Sequence, residues 1–321
     1  MRLARILAGL AAIAVPDAAS AAARTELPIR EVDLSDGARR YVVQIDINGR
    51  QVDAGLDTGS TGLRVLPRAL PPTAVSVHGR EVGYFYTSGT RFEGQEIAEP
   101  VSIVGIVGAV KLMRVDTLGC TREQPRCPVT HVDPARFGIQ GDGLPGQGFA
   151  AILGISLKPD AVPNPLSQLG VTRWIVELPA PGSSTPGRLI LNPTDAELAG
   201  YKRLQITGDG SQLPGCLVNS SRRESICGLT VFDTGAPGIR IVADRSMQPW
   251  PQGTPAAIAV GDSGTQVSMP IQIGRRDEAS AMFTVVRPGA NPTRISFGIA
   301  PYFRWSVLYD SAAHQVGIRE R

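Results

Sequence analysis

One ten-residue pattern occurs twice in this chain, with five positions identical. Asp57-Thr-Gly-Ser-Thr-Gly-Leu-Arg-Val-Leu66 lines up with Asp233-Thr-Gly-Ala-Pro-Gly-Ile-Arg-Ile-Val242, keeping Asp, Thr, both glycines and Arg and exchanging aliphatic residues for one another. Each copy follows an apolar stretch, Ala54-Gly-Leu56 or Thr230-Val-Phe232. Downstream of each lies an apolar-Gly-Ile element, Ile152-Leu-Gly154-Ile155 or Ser296-Phe-Gly298-Ile299. A two-part pattern repeated in the same order implies two similarly folded lobes that arose by duplication. Pro179-Ala-Pro-Gly-Ser-Ser-Thr-Pro-Gly187 lies between the copies and reads as the crossover, placing the lobes at about Arg24–Gly182 and Ser183–Arg321.

The local patterns are those of strands. Tyr41–Ile47 and Gln51–Leu56 flank Asn48-Gly49, a strong hairpin signal. Further strand-like runs are Val101–Val110, Leu189–Leu191, Leu229–Phe232, Ile239–Val242, Ala257–Val260 and Trp305–Leu308. Helical patterns are short: Pro165–Leu169, Thr194–Ala199 and Ile299–Phe303. The 36 Gly and 26 Pro among 321 residues supply many turns. The fold class is all-β, as two β-barrel-like lobes.

Arg2 and Arg5 precede an apolar run, Ile6 to Val15, and then Ala19-Ser20-Ala21. This is the pattern of a secretory signal peptide, assigned to residues 1–23. The run is too short to span a bilayer, which takes about 20 apolar residues. No later segment is long enough to span, so an exported protein is expected, periplasmic or secreted. Cys120, Cys127, Cys216 and Cys227 allow three pairings. Their clustering favours Cys120–Cys127 and Cys216–Cys227, and an oxidising compartment favours disulfides over zinc. The 32 basic residues, of which only Lys111, Lys158 and Lys202 are lysines, are scattered and face 29 acidic ones. No basic tract with interleaved aromatics argues for nucleic acid. The Ala/Arg-rich, Lys-poor composition is of a bacterial type.

Two Asp-Thr-Gly units, each ending an apolar strand and each with its apolar-Gly partner, resemble the pepsin-like aspartic proteases. The likeness runs from Tyr41-Val-Val-Gln-Ile-Asp-Ile-Asn-Gly49 through Gly187–Tyr201 to Phe297–Ile318. It implies a bilobal fold with a cleft, Asp57 and Asp233 as catalytic residues, and endopeptide hydrolysis by a water held between them. No metal or organic cofactor is expected, and a single chain bringing both aspartates is expected to be a monomer acting on peptides or proteins. Two carboxyls brought within about 3 Å share one proton and titrate as a pair; pepsin's dyad is the standard example. The resemblance further implies that Thr58 and Thr234 bond across the lobe interface, that Gly59 and Gly235 permit close approach, and that Ser60 bonds the first aspartate. Gly154 and Gly298 would lie beneath the two Asp turns. A hairpin flap is implied at Tyr84-Phe-Tyr86-Thr-Ser-Gly89, with Tyr86-x-x-Gly89 the better match and Tyr84 the alternative.

Three departures from the family carry expectations. Ala236 stands where pepsins have Thr or Ser, which leaves the second aspartate without that hydroxyl donor and disfavours its charged form. Arg64 stands where pepsins usually have Trp, so the flap tyrosine needs another anchor. Cleavage after Ala21 leaves residues 22–56 before Asp57, no more than the first lobe needs, so no inhibitory pro-segment is expected.

Two other readings compete. Gly261-Asp-Ser263-Gly264 imitates a serine-protease nucleophile, but His78 and His131 lack the matching context, His314 follows rather than precedes, and a hairpin turn explains the tetrapeptide. A catalytically silent pepsin-like binding or inhibitor protein is the second alternative; such proteins usually lose one Asp or its turn, and both are intact here.

Overall fold

The computed structural model describes residues 23–75, 78–208, 210–243, 248–262, 264–274, 281–285 and 292–321, with the backbone alone for Val75 and 281–285. The signal-peptide reading of residues 1–23, apart from Ala23, and Ser263 therefore fall outside the described residues.

Twenty strands form two sheets among the described residues. The larger has thirteen strands and the smaller seven, all from the second half of the chain. The N-terminal strand Thr25–Asp33 joins two parts of the large sheet. Its first half pairs with Gly187–Leu191 and its second half with Arg39–Ile47. The first lobe thus continues, strand by strand, into Arg173–Glu177, Trp305–Asp310, Gln315–Glu320 and Lys202–Gln205. The Pro/Gly/Ser-rich stretch is a hairpin loop there, between Arg173–Glu177 and Gly187–Leu191. Trp174 and Trp305 are buried on this seam, Trp174 stacked on Tyr309 with centroids 5.9 Å apart. Large aromatics bury 150–250 Å² each and dominate such a core.

The repeat becomes a repeated topology. Arg50–Asp57 runs parallel to Ala151–Ile155, which is also antiparallel to Thr61–Val65, and Thr61–Val65 is parallel to Ile106–Cys120. In the second lobe Glu224–Val231 runs parallel to Arg294–Ser296, which is antiparallel to Ile239–Ala243, itself parallel to Ala281–Val285. Each Asp turn therefore arches over a strand that passes between its two flanks. The clearance admits only glycine. A Cβ on Gly154 would lie 2.7 Å from the Gly62 carbonyl oxygen, and one on Gly298 2.5 Å from that of Gly238.

Asn48 and Gly49 take the positive φ angles, 52° and 81°, that a two-residue hairpin needs. The short helices form at Pro165–Gln168 and Asp195–Leu198, the latter opened by a Thr194/Glu197 capping box, and a 3-10 turn covers Ala300–Phe303. One expectation is corrected. Val101–Val110 is not a single strand but the turn of a long hairpin, Thr90–Ile103 with Ile106–Cys120. Val104 and Gly105, with φ of 48° and 77°, reverse the chain there. A β-branched residue rarely takes that conformation, and the apolar residues on either side of Gly105 hide the turn.

The disulfides join Cys120 to Cys127 and Cys216 to Cys227, the latter directly across Leu213–Asn219 and Glu224–Val231. Strands Pro255–Val260 and Val267–Gln272 pair on either side of Gly261–Gly264, and Thr265 N–H closes a turn onto the Asp262 carbonyl at 2.9 Å. No helix among the described residues is long and apolar enough to cross a membrane.

Candidate active site

The two Asp-Thr-Gly turns meet tip to tip. Asp57 closes a strand whose last four residues are buried, and its Oδ1 accepts from the N–H of Gly59 (2.8 Å) and Ser60 (3.1 Å). The Ser60 hydroxyl donates to Oδ2 at 2.6 Å. On the other side the Gly235 N–H donates to Asp233 Oδ1 at 2.9 Å. The carboxyls lie against each other's glycines. A Cβ on Gly59 would sit 2.4 Å from Asp233 Cγ, and one on Gly235 2.8 Å from Asp57 Cγ.

Thr58 and Thr234 lock the turns together. Each backbone N–H donates to the other's hydroxyl, at 3.1 and 3.0 Å, and each hydroxyl donates to the carbonyl before the opposite aspartate, Phe232 at 2.9 Å and Leu56 at 2.8 Å. All four bonds are buried. The lock is asymmetric, because Thr58 Oγ1 also lies 2.8 Å from the Tyr302 hydroxyl, which lies 2.6 Å from that of Tyr309. Thr58 spends its single proton on Phe232, so Tyr302 must donate to Thr58 and accept from Tyr309. Neither tyrosine carries a sequence signal for this role. Nor does Arg40, which is buried at the cleft, donates to the Gln140 and Gly235 carbonyls at 2.8 and 3.2 Å, and pairs with Asp142.

The missing hydroxyl of the second turn is supplied from elsewhere. Ala236 offers none, but Ser296 Oγ, on the strand threading the turn, donates to Asp233 Oδ2 at 3.1 Å. The expectation that Asp233 lacks such a donor is corrected: the hydroxyl arrives from a different strand. Even so, burial first and the neighbouring Asp57 second push the Asp233 carboxyl up to about 7. Ser296 opposes that shift. Ser296→Ala is therefore expected to raise the pH at which the Asp233 carboxyl loses its proton by about one unit; a 13C carboxyl titration of the variant reads it.

Asp57 and Asp233 line a cleft of about 370 Å³ together with Tyr84 to Ser88, where the flap was expected. Arg80–Phe85 pairs with Thr90–Ile103, and Tyr86 to Gly89 form the turn, with Gly89 at φ 87° and its N–H on the Tyr86 carbonyl at 2.9 Å. Tyr84 and Tyr86 both line the cleft, ring centroids 4.8 Å apart, and Tyr86 packs on Phe92. The disulfide loop after Cys120 braces the turn: Thr121 N–H donates to Gly89 and the Gln124 amide to Thr87. Arg64 fills the place below. Its guanidinium is fully buried, 3.4 Å from the Tyr84 ring centroid and 5.9 Å from that of Tyr86, and reaches Gly62 and Asp160. A planar cation stacked on an aromatic face takes over the flat packing an indole would give.

No protein-family model matches the sequence, and no curated protein is significantly similar to it. Among solved structures the chain is similar to the aspartic proteinase from Irpex lacteus, with a TM-score of 0.62 at 12% identity, over 93% of this chain and 97% of that one. Identity this low speaks to the fold. The chain is an all-β, bilobal protein with the fold of the pepsin-like aspartic proteinases.

Proposed function

We propose that the chain is an aspartic endopeptidase, with Asp57 and Asp233 as its catalytic residues and lobes at about 24–182 and 183–321. The observation that carries this reading is the contact of the two carboxyls with each other's turn glycines, in a cleft of about 370 Å³ that both aspartates line. The similarity to an aspartic proteinase supports it. Three donors hold the Asp57 carboxyl in place, while burial and the neighbouring Asp57 favour a proton on Asp233. Asp57 takes a proton from a water lying between the carboxyls, and the resulting hydroxide oxygen bonds to the peptide carbonyl carbon. Asp233 gives its proton to the carbonyl oxygen. The tetrahedral diol then collapses: Asp57, now protonated, gives its proton to the nitrogen as the C–N bond breaks, and a diol hydroxyl returns its proton to Asp233, so the acid and the amine leave and the dyad again holds one proton.

The substrate lies extended beneath the Tyr86 hairpin, its backbone pairing as an added strand. The protein acts as a monomer on peptides or proteins in an oxidising, exported compartment, a location the two disulfides support. Incubation with a denatured protein at about pH 3–6 is expected to yield discrete fragments, and pepstatin to stop the digestion. Absence of cleavage across that range contradicts the reading.

A further inference from the structure

The repeat carries an arginine at the same place in both copies, Arg64 and Arg240, and the topology puts them on matching strands. Arg64 stands opposite Ile152 on its antiparallel neighbour, and Arg240 opposite Ser296. Residues opposite one another in an antiparallel pair point to the same face. Ser296 reaches Asp233 from that face, so Arg240 shares the face that carries the dyad, and it lines the cleft with both aspartates.

The two arginines differ in what meets them. Arg64 is spent on Gly62, Asp160 and the flap ring. Arg40, the other guanidinium in the cleft, is spent on Asp142 and two carbonyls. Arg240 is half-buried yet makes no hydrogen bond or ion pair among the described residues. Its surroundings desolvate it, lowering its pKa, with no anion to offset the loss. A partly desolvated, unpaired guanidinium presents a fork of N–H donors that a planar carboxylate accepts from.

We propose that Arg240 is a specificity-determining residue that binds the carboxylate of an Asp or Glu side chain in the extended peptide substrate. The proposal rests on the endopeptidase reading and deepens it. A dyad that holds its proton toward neutrality also works where substrate Asp and Glu side chains are ionised, as this recognition needs.

The test uses a neutral peptide the protein cleaves, with a single Glu stepped along it one residue at a time and each peptide matched by its Gln counterpart. At one position the wild type is expected to favour Glu over Gln in kcat/KM by about 10- to 100-fold, the worth of a charge-assisted bond. Arg240→Met is expected to bring that ratio to about 1, Arg240→Lys to keep part of it, and Arg240→Glu to invert it. A ratio is insensitive to a general loss of activity. The same peptides are titrated by fluorescence anisotropy against the Asp57→Asn chain, with and without Arg240→Met, so that preference is read where no bond is cut. Equal Glu/Gln ratios in wild type and Arg240→Met at every position overturn the proposal. If the wild type cleaves none of the peptides, the endopeptidase reading fails, and the anisotropy ratios alone uphold or overturn the role of Arg240.

Discussion

Asparagine at either Asp57 or Asp233 will lower kcat/KM on a peptide substrate by at least about 10³-fold, because on the proposed mechanism it removes either the base that activates water or the acid that protonates the carbonyl. The double variant will cost little more than either single one, since groups acting as a unit are not additive. Asp233→Asn will also change stability in a pH-dependent way. The folded Asp233 carboxyl titrates near 7 against an ordinary value of 3.8, so between those values the folded chain holds a proton the unfolded chain has lost. Wild-type stability therefore falls as pH rises through that window, and the asparagine variant lacks this decline. Its Tm relative to wild type will be higher at pH 7 than near pH 4. A variant that keeps wild-type activity, or a Tm difference that does not change with pH, would contradict this assignment.

Gly59→Ala carries the second large effect. The added methyl would lie 2.4 Å from Asp233 Cγ, and the turn bearing it is fixed by two bonds to Asp57 Oδ1 and by the threonine lock. The carboxyl must move instead, by about 1 Å, and displacements of that size cost roughly 10²-fold in rate. The fold should survive, so circular dichroism stays unchanged while kcat drops. Gly119→Ala, where nothing lies within 4 Å, serves as the neutral control. A Gly59→Ala protein with the wild-type rate would mean the carboxyls are not held this close.

What could be read from the sequence was what sits close together in it. Asp57, Thr58, Gly59 and Ser60 form one turn, and the repeat at Asp233 made the pairing of lobes visible. The partners that set the site's chemistry come from far along the chain. Ser296 reaches Asp233 across 63 residues, Arg40 reaches Gly235 across 195, and Tyr302 meets Thr58 across 244. Such contacts depend on strand register, which no short window of residues encodes. Ala236 illustrates the point, because the hydroxyl absent from the turn is replaced by one on the strand threading it. The Val104-Gly105 reversal was hidden for a local reason, as hydrophobic residues on both sides masked a change of direction. Thr25–Asp33 carried no hint that one strand would serve two neighbours in succession.

The most direct measurement is a carboxyl titration by 13C NMR on aspartate-labelled protein, comparing wild type with Asp57→Asn and Asp233→Asn. One aspartate carboxyl in the wild type should titrate near neutrality, disappear in Asp233→Asn, and shift downward in Asp57→Asn as the like charge is removed while burial remains. If every aspartate titrates in the ordinary range, or if the high-titrating signal ignores Asp57→Asn, the two side chains do not share a proton and the proposed chemistry is wrong.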